Sequence, residues 1–144
     1  MPLLDRSARW VANRLPKTIG PKVHAKMDYA VAASCFGMAA FFWRRNKRAA
    51  VSCLFCGAAE TMAALLTDYP GGITTSLSFE THGTIDVGLA ALVASVPGVM
   101  HFANEPEARF FRMQSLALAV MAGLTDFSGT EEASQMEKIV ERAA

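Results

Sequence analysis

The chain has 144 residues, 52% of them hydrophobic and 19% charged, and its 14 Lys and Arg nearly cancel its 13 Asp and Glu. That length supports one core and not two. With charge so nearly balanced, nothing global points to nucleic acid as a partner.

The first expected element is a basic amphipathic helix within residues 1–20. The run LLDRSARWVANRLPK sets Leu4, Ala8, Val11 and Leu15 on one helical face and Arg6, Arg9 and Asn13 on another, and it ends before Pro16. Such a helix suits the headgroup region of a bilayer, with Trp10 as its anchor. From Met1 to Lys26 there is no apolar core followed by a small-residue cleavage site, so the segment does not read as a signal peptide.

Four uncharged blocks follow. Tyr29 to Trp43 carries no charge, Ala49 to Leu66 carries only Glu60, Val87 to Phe102 has nothing beyond His101, and Met113 to Thr125 has none. None alternates with a period of two, so each reads as a helix. Each is apolar nearly all round and lacks the polar stripe that a water-facing helix needs. With flanking turns the helices are expected at Met27–Arg44, Lys47–Asp68, Thr84–Phe102 and Arg109–Phe127. Their lengths of about 18 to 22 residues suffice to span a bilayer when end charges snorkel outward. The fold class expected is all-α, a four-helix transmembrane bundle with amphipathic tails. A soluble bundle whose apolar faces meet partner chains is the competing reading.

The loop YPGGITTSLSFETHGT lacks Lys and Arg and contains two turn glycines, as a surface linker does. Beyond the last block, Ser128 and Glu131 fit a capping box ahead of an amphipathic helix from Glu131 to Arg142. Lys and Arg divide eight to six between the two faces, a small excess that puts the tails in the cytoplasm.

LLTDYPGG at Leu65–Gly72 recurs as GLTDFSGT at Gly123–Thr130. Sliding the chain on itself at an offset of 58 pairs residues 21–71 with 79–129 without gaps and gives 12 identities in 51 positions. This is the signature of a duplicated two-helix unit. The expected organisation is a single membrane domain over 1–144: tail 1–20, hairpin repeat 21–71, hairpin repeat 79–129 and tail 130–144. Because each unit crosses twice, the repeats run parallel about a pseudo-twofold along the membrane normal.

That symmetry gathers His24, Asp28, Asp68, His82, Asp86 and Asp126 at one membrane face. Each HxxxD pair shares a helix face, and two imidazoles with four carboxylates are a donor set for a divalent metal or a proton or cation relay. Set against this, Asp28 and Asp86 in first turns would complement helix dipoles, and both Thr-Asp pairs would be helix stops. Glu60 stands well inside an apolar helix, where a carboxylate marks a possible proton site. Its counterpart in the second repeat is Leu118. Cys53 and Cys56 form a CxxC on the same face, a redox pair or simply small core residues. Ala33, Gly37, Gly57 and Gly98 permit close helix contact.

The run from Asp28 through FFWRRNKRAA to LLTDYPGG, and then SFETHGTIDVGLAA, resembles a group of uncharacterised bacterial membrane proteins with four helices, over about residues 15 to 128. The two-helix plan is also similar to that of SPW-repeat membrane proteins, although the Ser-Pro-Trp motif is absent. Neither resemblance implies an activity or a site residue. The expected role is a small, non-enzymatic integral membrane protein, multi-pass in the bacterial inner membrane. Its partners would be the lipid bilayer, a second copy or other membrane proteins, and not nucleic acid. A metal, ion or proton-binding membrane protein is the alternative and a CxxC redox protein the third. No cofactor beyond a possible divalent metal is expected.

Overall fold

A computed structural model describes residues 16–128 together with residue 140. The expected N-terminal amphipathic helix and nearly all of the C-terminal one fall outside these residues. The described chain is helical throughout: α1 (Pro21–Phe42), α2 (Lys47–Leu66), α3 (Phe79–Val99) and α4 (Ala108–Leu124). No strand occurs among the described residues, only two isolated β-bridges.

α1 and α3 start earlier than the uncharged blocks suggested. α1 opens at Pro21, whose fixed φ and missing N–H suit the first helical position. α3 opens at Phe79 behind Ser78, whose hydroxyl accepts from the Thr81 N–H at 3.1 Å. Asp28 and Asp86 are therefore each the eighth residue of a helix. They are too deep to act as first-turn partners of the helix dipole, whose influence fades within one turn.

α2 and α4 end two and three residues short of expectation, because Thr67 and Thr125 leave the helical region for extended backbone. There each forms a β-bridge: Thr67 pairs with Leu77 and Thr125 with Ile19. The backbone bonds are matched, since Asp68 N–H donates to Leu77 O at 2.8 Å and Asp126 N–H to Ile19 O at 3.0 Å. The repeat offset relates the two bridges, Thr67 corresponding to Thr125 and Ile19 to Leu77. The end of each hairpin is thereby pinned to the start of the other.

α1 packs along α2 and α3 along α4, while α2 and α3 touch more sparingly. The main core holds Cys35, Ala39, Ala49, Ala50 and Cys53 with Phe42, Phe102, Phe111, Leu118 and Met121. Phe102 and Phe111 are in ring contact at 5.3 Å between centroids. Below them the end of the bundle is tied by Asn46. Its Oδ1 accepts from the Ala49 N–H at 3.2 Å, and its Nδ2 donates to Glu105 at 2.6 Å. Arg48 adds an ion pair to Glu105, also at 2.6 Å.

The interior of the bundle mixes apolar side chains with polar and ionisable ones. Buried positions include His24, Asp28, Glu60, His82, Asp86 and Gln114. Large apolar side chains point outward, with Phe55 69%, Val99 69%, Met113 73% and Leu116 65% exposed. By length and composition α2 and α3 can each cross a membrane. The other two fall short of the four spans read from the sequence. α4 has only 17 residues, and α1 carries Lys22, Lys26 and Asp28 within its first eight. A four-span bundle is thus the finer reading, and four helices with two able to span is what the fold displays.

Candidate metal centre

The inner stripe of α1 runs His24, Asp28, Ala32, Cys35, Ala39 and Phe42, the i, i+4, i+7 pattern that keeps one face toward a core. α3 repeats it with His82, Asp86, Ala90 and Val93. Where the stripes meet, His24, Asp28, His82 and Asp86 come together, each with no exposed surface. One donor atom from each lies within 4.8 Å of the others.

The arrangement is cyclic. His24 Nε2 stands 3.4 Å from Asp28 Oδ1 and 3.0 Å from Asp86 Oδ2; His82 Nε2 stands 3.3 Å from Asp28 Oδ2 and 3.2 Å from Asp86 Oδ1. None of these approaches has hydrogen-bond geometry. Both Nε2 atoms, Asp28 Oδ1 and both Asp86 oxygens have no hydrogen-bond partner. Buried polar atoms are ordinarily satisfied, so five orphans in one spot call for a physical cause.

The opposite side of each imidazole is fully specified. His24 Nδ1 lies 2.8 Å from Thr125 Oγ1, and His82 Nδ1 lies 2.7 Å from Thr67 Oγ1. Each threonine hydroxyl donates its single proton to the carbonyl four residues back, Met121 O or Ala63 O, at 2.7 Å. The oxygen must therefore accept from the imidazole, which places a proton on Nδ1. In the neutral ring the lone pair is then on Nε2, directed at the carboxylates. A ligating histidine is oriented in the same way, by a hydrogen bond on its other nitrogen. Replacing both Thr67 and Thr125 by Val strands two buried N–H groups, and any metal ion held by the tetrad is expected to bind roughly 10–100-fold more weakly. Equilibrium dialysis of the double variant against wild type measures it.

The two aspartates differ in their hydrogen bonding. Tyr69 Oη donates to Asp28 Oδ2 at 2.6 Å, whereas Phe127, its counterpart in the second hairpin, has no hydroxyl to give Asp86. Burial, with the hydrogen bond to Asp28, lifts the Tyr69 phenol above its ordinary range, so it stays a donor. Tyr69, Phe79 and Phe127 close the end of the site, Phe79 and Phe127 meeting at 4.8 Å and both turned edge-on to His24. Gly83 makes room for this lid, since a Cβ there would meet the Phe127 ring at 2.8 Å.

Of the six ligands expected from sequence, the structure brings together four. Asp68 is exposed. Asp126 turns to Ser128, accepting from its N–H at 3.1 Å and its hydroxyl at 2.6 Å. In each Leu-Thr-Asp motif the inward residue is the threonine, because the strand-like backbone after the helix alternates sides and sends the next side chain outward. Thr67, Thr125 and Tyr69 are the site residues that sequence reasoning missed. Cys35, Cys53 and Cys56 are free thiols, all buried, and Glu60 is 3% exposed with Oε1 unpartnered.

Comparison with family models, curated proteins and solved structures gives no match.

Proposed function

We propose that this chain is a small integral membrane protein that holds one divalent transition-metal ion between its two helical hairpins. The ion's ligands are His24 Nε2, His82 Nε2, Asp28 Oδ1 and one oxygen of Asp86. The observation that carries this reading is the set of orphaned donors and their spacing. A tetrahedral ion bonded at about 2.0–2.1 Å has ligands about 3.3 Å apart. His24 Nε2 lies 3.4 Å from Asp28 Oδ1 and 3.0 Å from Asp86 Oδ2, two edges near that size, and one donor from each of the four residues lies within 4.8 Å of the others. Charge agrees as well, since buried carboxylates offset the charge of a dication in a low-dielectric interior.

Membrane embedding rests on the outward apolar residues together with the confinement of exposed charge to helix ends. Between Asp28 and Arg44, Arg48 and Asp68, Asp86 and Glu105, and Arg112 and Asp126 the only ionisable acid or strong base is the buried Glu60. On this reading α1 and α4 join α2 and α3 in the bilayer, and the ion acts as a clasp between hairpins.

The test is the metal content of detergent-purified protein by mass spectrometry, for wild type and for the His24→Ala, His82→Ala double variant. Wild type is expected to carry about one ion per chain and the variant less than about a tenth of that, given the loss of two of four ligands. Folded wild type that is metal-free after exposure to Zn2+, Fe2+ and Mn2+ would sink the reading. The tetrad would then be two imidazoliums paired with two carboxylates, a purely structural tie.

A further inference from the structure

Among the described residues, Glu60 is the one acid well inside a helix, away from its ends, that the four-ligand site leaves unexplained. It lies on the inner stripe of α2, between Cys56 below and Thr67 above, and Thr67 is the residue that orients His82. Counted from the turn between α1 and α2, Glu60 and Asp28 are each about 14 or 15 residues away, which in antiparallel helices puts them at equal height. The carboxylates of both Asp28 and Asp86 are near enough to act on it electrostatically. It is 3% exposed, and its Oε1 has no hydrogen-bond partner. An acceptor so placed is costly unless something answers it.

The position has a built-in control. Its counterpart in the second hairpin is Leu118, which is 1% exposed. The fold therefore accepts an apolar side chain of similar volume at this height, and packing does not require an acid.

We infer that Glu60 is a fifth donor to the ion held by the tetrad. This inference rests on the metal-binding reading above. Its carboxylate lies outside the group of four whose donors are mutually within 4.8 Å, and it reaches the ion by a change of side-chain rotamer. The completed set has two nitrogens and three oxygens. Zn2+ in four-coordinate sites does not need the fifth ligand. Oxygen-rich sets with two histidines suit Mn2+ and Fe2+. Glu60 thus assigns the site to an Fe2+ or Mn2+ class of cation and removes the twofold equivalence of the hairpins.

The experiment uses the full chain in detergent with Co2+ as optical probe and Mn2+ and Zn2+ as competitors, comparing wild type with Glu60→Leu and Glu60→Gln. Four-coordinate tetrahedral Co2+ absorbs visible light much more strongly than five-coordinate Co2+. Wild type is expected to give the weak spectrum, and Glu60→Leu the intense one. Mn2+ affinity is expected to drop roughly 10–100-fold in Glu60→Leu, with Zn2+ changing far less. Glu60→Gln, which keeps the shape, is expected to fall between, and it supplies the readout if Glu60→Leu does not fold. Bound Co2+ with the same spectrum in all three proteins overturns the role of Glu60 and leaves the four-ligand site standing. Failure of wild type to bind any of the three ions overturns the metal-binding reading itself.

Discussion

Asp86→Ala is expected to cost about 3–5 kcal/mol of stability and, on the proposed metal-binding reading, to strip the ion. The magnitude is that of removing one partner from a buried charge pair, which leaves the other charge without compensation. Asp86 is the more vulnerable to this loss of the two aspartates. Both its oxygens depend on the histidines at 3.0 and 3.2 Å and have no hydrogen bond, whereas Asp28 is also held by Tyr69. Without Asp86, both Nε2 atoms share a single carboxylate already committed to a phenol. Asp86→Asn keeps the volume and is expected to lose the ion at a smaller cost in stability. Asp68→Asn and Asp126→Asn, which change side chains outside the tetrad, should leave metal content as in wild type. Reversible unfolding in mixed detergent, with metal analysis of the same samples, measures both quantities. An Asp86→Ala protein as stable and as metal-loaded as wild type would remove Asp86 from the site.

Phe111→Ala, at the far end of the bundle, should destabilise by a comparable about 3–5 kcal/mol through the cavity it opens. Phe111 has no exposed surface and packs against Phe102 and Phe110 at centroid distances of 5.3 and 5.5 Å. The two substitutions separate on the second readout. Phe111→Ala leaves the tetrad's four ligands untouched, so protein that remains folded should keep its ion and its Co2+ spectrum. Loss of metal at an unchanged folded fraction would mean that the phenylalanine layer and the tetrad are mechanically coupled.

The helical composition was legible because four long uncharged blocks without alternation leave few alternatives to helices. The boundaries were not, since hydropathy marks where a helix is apolar and not where it begins. The first two turns of α1 and α3 carry inward-facing His and Asp, so they look like polar flanks in the sequence and are helix interior in the fold. The candidate site was legible through the repeat, which flagged His24 with His82 and Asp28 with Asp86. The same repeat flagged the Thr-Asp pairs, and there chemical expectation favoured the carboxylate over the hydroxyl. The sign that could have corrected it is local: a threonine in the last turn can bond back to the i−4 carbonyl, which frees its oxygen to accept from one further donor. Glu60 stood out from its apolar surroundings, but its height relative to Asp28 emerged only once the hairpin was folded. Membrane insertion was read from composition as four spans, and two of the four helices, α2 and α3, are long and apolar enough to cross.

The crossed pairing of hairpin ends has a consequence for how such a chain could be assembled. Thr67 of the first hairpin serves His82 of the second, and Thr125 of the second serves His24 of the first. Neither hairpin satisfies its own histidine, so one alone is an incomplete object, while two copies of the first would complete each other. A shortened protein covering residues 16–72 carries one half of the tetrad with the threonine and tyrosine that serve it: His24, Asp28, Thr67 and Tyr69. In that light residues 73–78 act as a tether, turning an encounter between two molecules into a closure within one. The gain is in effective concentration and not in new contacts. It also frees the two halves to diverge, as Tyr69 against Phe127 and Glu60 against Leu118 have done.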